Sequence, residues 1–112
     1  MENLKRGNDY KIFTKLYDED GVIQPLSSFS NIEVIFKSNS GSIIRTLKYS
    51  NSVADGKLFE YDTTTLKYYI ETRDSDNYDL INVWIKVQYA DSDTSDGNFD
   101  LLYLDETYSI NR

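Results

Sequence analysis

Short runs of alternating apolar and polar residues, cut by turn dipeptides, constrain this chain more than any other feature. Asp20-Gly21, Ser40-Gly41, Asp55-Gly56 and Asp96-Gly97 each stand between two such runs, where glycine supplies the positive φ of a tight turn. No helical period is sustained over ten residues. Alternation with a period of two belongs to strands that show one face to a core and the other to solvent.

The clearest strand is Asn31 to Lys37, with Ile32, Val34 and Phe36 on one face and Glu33, Ile35 and Lys37 on the other. Tyr10 to Tyr17 places Tyr10, Ile12, Thr14 and Leu16 opposite Lys11, Phe13, Lys15 and Tyr17. Val83 to Tyr89 turns Val83, Ile85, Val87 and Tyr89 inward. A hairpin through Ser38-Asn39-Ser40-Gly41 leads into Ser42 to Tyr49. There Ile43, Leu47 and Tyr49 face inward if Arg45 snorkels or marks a bulge, which leaves Ile44, Thr46 and Lys48 outside. Val22 to Leu26 is a short extended piece that Pro25 confines to an edge or a loop, and Ser50 to Asp55 is a looser polar stretch. Leu58 to Tyr61, Leu66 to Thr72, Phe99 to Leu104 and Thr107 to Ile110 complete about seven or eight strands. The expectation is one all-β domain over residues 1–112, a sandwich of two antiparallel sheets, with 1–9 as a flexible N-terminal segment.

The chain has 112 residues, a formal charge of −7 from 19 acidic and 12 basic residues, and neither histidine nor cysteine. Those absences remove the commonest general acid-base group and every thiolate mechanism, as well as disulfide stapling. No glycine-rich phosphate loop is present. The basic residues do not cluster, so nucleic acid is not expected as a partner, nor is a membrane. The sequence points to no enzyme, no catalytic residue and no cofactor.

Two features invite a site. In the acidic run Asp91 to Asp100, the carboxylates Asp91, Asp93, Asp96 and Asp100 resemble a calcium loop in composition, but not in the register of glycine and glutamate. A solvated hairpin loop is the plainer reading, and it applies equally to Asp74, Asp76 and Asp79. The second feature is a large apolar residue on each of several polar faces: Phe13, Ile35, Ile44 and Trp84. On neighbouring strands these would make a charge-rimmed contact patch. The tyrosines and Trp84 also allow a carbohydrate-binding module as the alternative function.

The order Arg6-Gly7-Asn8-Asp9-Tyr10, alternating strand, Asp18-Glu19-Asp20-Gly21, Ile32 to Lys37 and Gly56 to Tyr61 resembles phage structural β-sandwich domains. Among these it is most similar to the immunoglobulin-like N-terminal domain of siphophage baseplate upper proteins. The resemblance implies an immunoglobulin-like sandwich and a non-enzymatic virion component, in baseplate, tail or capsid decoration. It implies action through contacts with other virion proteins, as a homo-oligomer or symmetric assembly. The richness in Asn, Asp, Ile, Lys and Tyr, as an AT-rich genome would give, makes the resemblance equally suit a head or tail accessory protein of Bacteroidetes phages, crAss-like phages included.

Overall fold

The computed structural model describes residues 2–50, 53–54, 58–72 and 79–111. The Asp55-Gly56 turn and the acids Asp74 and Asp76 lie outside them. The described strands are β1 (Glu2–Lys5), β2 (Asp9–Tyr17), β3 (Ile23–Gln24), β4 (Asn31–Ser38), β5 (Ile43–Ser50), β6 (Val53–Ala54), β7 (Leu58–Asp62), β8 (Thr65–Glu71), β9 (Leu80–Ala90) and β10 (Asn98–Asn111). Two of them, β3 and β6, are only two residues long. The molecule is an all-β sandwich of a six-stranded sheet, β1-β10-β9-β4-β5-β6, and a four-stranded sheet, β3-β2-β8-β7.

This order is that of a variable-type immunoglobulin domain. β4, β9 and β10 stand where C, F and G would, β5 and β6 extend them as C′ and C″, and β2, β8 and β7 form the opposing B-E-D layer. β1 leaves that layer and lies parallel to β10, pairing Glu2 with Tyr108 and Lys5 with Asn111, while every other strand pair is antiparallel. The stretch expected to be flexible at the N-terminus is therefore corrected over Glu2–Lys5. Its single apolar side chain, Leu4, is buried in the core cluster and gives the strand a reason to dock.

Strict alternation in β4 and β9 turns Ile32, Val34, Val83, Ile85 and Val87 inward, each with at most 1% of its surface exposed. Leu16, Leu58, Leu66 and Tyr68 meet them from the small sheet, all without exposure. Phe36 and Tyr68 cross the gap edge to face, with ring centroids 5.8 Å apart. Without cysteine, this interlayer packing is the principal stabiliser of the fold.

Turn chemistry holds the strand ends. Asp18 Oδ1 accepts from the backbone N–H groups of Asp20 (2.9 Å) and Val22 (3.0 Å), and Gly21 takes φ +78° to close the β2–β3 turn. Pro25 precedes a single 3-10 turn, Leu26–Ser28, that tucks Leu26 into the core. The connection from β1 to β2 is clasped by the fully buried Thr72. Its hydroxyl accepts from the Gly7 N–H at 2.7 Å and lies within hydrogen-bonding distance of the carbonyls of Asn8 (2.8 Å) and Lys5 (3.2 Å).

Candidate contact surface

Inward burial of alternate residues on β4 and β9 sends the intervening side chains to the outer face of the six-stranded sheet. Register then decides which of them meet. Ile35 lies opposite Trp84, Trp84 opposite Leu104, and Thr46 opposite Ile35. A row Thr46–Ile35–Trp84–Leu104 thus crosses four strands, and Leu102 sits beside it, opposite Lys86. Leu102 and Leu104 are 50% and 48% exposed, while Ile35 and Trp84 are half-buried by their neighbours.

Polar side chains rim this apolar row. The Lys37 ammonium lies 5.3 Å from the centroid of the Trp84 ring, a geometry worth roughly 0.5–1 kcal/mol at an exposed site. On the next row Glu33 and Lys48 pair at 3.9 Å. Asn31 Nδ2 donates to Gln88 Oε1 at 2.6 Å, and Gln88 Nε2 donates to Asp100 Oδ1 at 2.9 Å. Asn31, Glu33, Lys86 and Gln88 line a shallow hollow at this margin. An apolar centre with a polar rim is the anatomy of a protein contact surface.

Of the four apolar residues singled out in the sequence, the structure brings together Ile35 and Trp84. Phe13 belongs to β2, on the outer face of the other sheet, where it is opposite Lys67 and packs edge to face on Tyr61 at 4.6 Å. Ile44 is corrected from the outer to the inner side. A bulge pairs Phe36 with Arg45 and Lys37 with Ile43, so the intervening residue turns over. Ile44 therefore packs against the core beside Phe36, Ile70 and Ile81, and Ile43 is 63% exposed instead.

Leu102 and Leu104 replace Phe13 and Ile44 in the patch. Their signal in the sequence is that Phe99 to Leu104 is apolar on both faces, with Leu101 and Tyr103 on one and Leu102 and Leu104 on the other. Such a run shows that one apolar face must stay outside, without showing which.

The acidic run forms the β9–β10 connection. Asp91 Oδ1 accepts from the Asp93 N–H at 2.9 Å, and Asp96 Oδ1 from the Asn98 N–H at 3.0 Å. These carboxylates satisfy the loop's own amides, while Asp100 lies on β10 and bonds Gln88. Among the described residues, no three acidic side chains converge to hold a metal ion. Asp79 pairs with Arg6 at 3.2 Å.

A separate polar cluster fills the opening between the sheets. The β9–β10 register slips between Leu104 and Glu106, which directs Asp105 toward the small sheet. Thr14 Oγ1 donates to Asp105 Oδ1 at 3.1 Å, and Tyr68 OH donates to Asp105 Oδ2 at 3.4 Å. Burial raises the Asp105 carboxyl above its ordinary range, against the opposing pull of those two hydrogen bonds. Burial, reinforced by the Asp105 charge, also raises the phenols of Tyr68 and Tyr103 and pushes that of Tyr108 up to about 12. Both carboxylate oxygens are thus engaged by the fold itself. No family profile, curated protein or solved structure matches this chain.

Proposed function

We propose that this chain is a structural component of a phage virion that works by protein–protein contact, as part of a symmetric assembly with other virion proteins. The observation that carries the contact reading is the row Ile35–Trp84–Leu104 on the outer face of the six-stranded sheet, with Leu102 beside it and a rim of charged and amide groups. The virion assignment rests on the resemblance of the Arg6-to-Tyr10, Asp18-to-Gly21 and Ile32-to-Lys37 segments to phage immunoglobulin-like domains. The small sheet's aromatics favour contact over sugar stacking. Phe13 packs edge to face with Tyr61, Phe59 does so with Tyr69, and Lys67 sits 5.3 Å over the Phe59 ring. Those rings stand steeply tilted to one another, at interplanar angles of 68° and 84°, and do not form a flat platform.

Mass spectrometry of purified particles tests the proposal directly, and the protein is expected among their components. Trp84→Ala, which removes the centre of the patch, is expected to lower incorporation into particles by roughly tenfold or more, the effect of losing an interface hot spot of about 2 kcal/mol. The half-buried indole lies outside the core, so the variant should stay folded and lose only about 1 kcal/mol, from its contacts with Lys37 and with Ile35 and Leu104 on the adjacent strands. Absence from particles removes the virion reading. Specific glycan binding lost in Trp84→Ala would replace it with the carbohydrate one.

A further inference from the structure

The longest strand is open along one side. β9 pairs with β10 from Asn98 to Ser109, whereas β1 covers the opposite edge only from Tyr108 to Asn111. Among the described residues, no strand pairs with the outer edge of Asn98–Leu104. Alternate backbone N–H and C=O groups of that segment point away from the ladder. Natural sheets blunt such edges with lysine, proline, bulges or inward charges. Asn98-Phe99-Asp100-Leu101-Leu102-Tyr103-Leu104 contains no lysine, no proline and one charge. Blunting begins immediately after it, where the bulge turns Asp105 inward.

We propose that this edge pairs with the same edge of a second copy of the chain, antiparallel about a two-fold axis at Leu101, to make one continuous sheet across both molecules. An antiparallel strand edge is complementary to itself under such an axis. The free segment is bounded by the Asp91–Gly97 loop and by the bulge, so its midpoint fixes the register. Full overlap sets Asn98 against Leu104 of the second copy, Phe99 against Tyr103, Asp100 against Leu102, and Leu101 against itself. The aromatic pairs fall on the inner face, where cross-strand aromatic contacts are favourable. On the outer face the exposed Leu102 and Leu104 extend the apolar row into the second molecule.

Charge opposes association, but least along this edge. Two copies that each carry −7 repel one another, and the edge presents one acid per copy, in a register that keeps the two Asp100 side chains from lying opposite each other. The repulsion that remains is between the loop at Asp96 and the Asp105–Glu106 corner of the second copy. Association should therefore tighten as salt is added. The inference goes beyond the virion reading and stands without it: a chain that dimerises but is absent from particles keeps this contact and loses that origin.

Sedimentation equilibrium of the full chain from about 1 μM to about 1 mM tests it, a range that covers contacts of weak to moderate affinity. The wild type is expected to reach twice the monomer mass, with amide exchange of Asn98–Leu104 slowing as concentration rises. Leu102→Asp, which sets a second acid opposite Asp100 of the other copy, should weaken association by about tenfold or more. Trp84→Ala should leave it intact, because residue 84 lies one strand in from the edge. A wild-type monomer at the highest concentration overturns the proposal. So does a dimer whose edge amides stay unprotected, or one that Trp84→Ala abolishes while Leu102→Asp preserves it.

Discussion

Asp105 is placed by backbone geometry in surroundings that a carboxylate disfavours. Burial raises its folded pKa above the unfolded value, so its ionised form opposes folding at neutral pH. That penalty is present above the folded pKa and disappears as pH falls below the unfolded one. Asp105→Asn removes the charge and keeps one acceptor oxygen for Thr14 or Tyr68, while its Nδ2 amide donates to the hydroxyl of the other. It should raise the melting temperature at pH 7, with the difference from wild type shrinking toward about pH 3.5. A variant that melts lower than wild type at pH 7 would show that the charge itself holds Thr14 and Tyr68. Asp18 and Asp62 have the opposite sign. The N–H groups of Val22 and Thr64 respectively are the largest influence on each and lower its pKa, so these two favour the fold above the unfolded pKa and lose that contribution as pH falls. Thr72 acts without titrating. Thr72→Val keeps the side-chain volume and strips the hydroxyl that accepts from Gly7, which should cost about 1–3 kcal/mol in denaturant melts.

β5 shows how one residue of register decides what an element contributes. With the bulge between Phe36 and Lys37, Ile44 belongs to the core and Ile43 to solvent. Ile44→Ala should therefore cost about 1–3 kcal/mol, whereas Ile43→Ala should stay within about 0.5 kcal/mol by the same melts. Equal costs would place the bulge elsewhere. This is also where legibility in the sequence ends. β4 and β9 could be read because polar residues hold most alternate positions, and Ile35 and Trp84 could be found as exceptions to that pattern. β5 could not, since Ile43 and Ile44 are adjacent and either can be the buried one. Strand spacing predicts two sheets but not the order of the strands within them. β10 reads in sequence as two strands, Phe99 to Leu104 and Thr107 to Ile110, but it is continuous over Asn98–Asn111 with a slip at Asp105. β1 left too faint a signal, one leucine among polar residues, because its partner lies at the far end of the chain. Phe13 points outward, as the alternation of β2 predicts, and its separation from Trp84 follows from sheet order, which no local pattern contains.

Across the whole molecule, charge is sorted by location. The β2–β3 turn carries Asp18, Glu19 and Asp20, and together with Asp91 these raise the Tyr89 phenol after the larger effect of its desolvation, so both acidic loops converge on one end. Lysines lie on the sheets: Lys37, Lys48 and Lys86 outside the larger, and Lys11, Lys15 and Lys67 outside the smaller. The ion pairs Glu33–Lys48 and Arg6–Asp79 each keep one partner well exposed, Lys48 and Asp79, and are weakly stabilising, whereas the crowded acidic end opposes the compact state. Raising salt from about 0.01 M to about 0.5 M, which shortens the Debye length from roughly 30 Å to only a few ångströms, should therefore raise the melting temperature. A fall would mean that the ion pairs outweigh the repulsion. The parallel pairing of β1 with β10 adds a mechanical property. A force drawing Glu2 and Asn111 apart along the strands would slide one against the other, loading the hydrogen bonds between Glu2–Lys5 and Tyr108–Asn111 together in shear. An antiparallel pair pulled open from one end would break its bonds one at a time. In an array held under tension through its chain ends, this short clamp is the part of the domain that bears the load first.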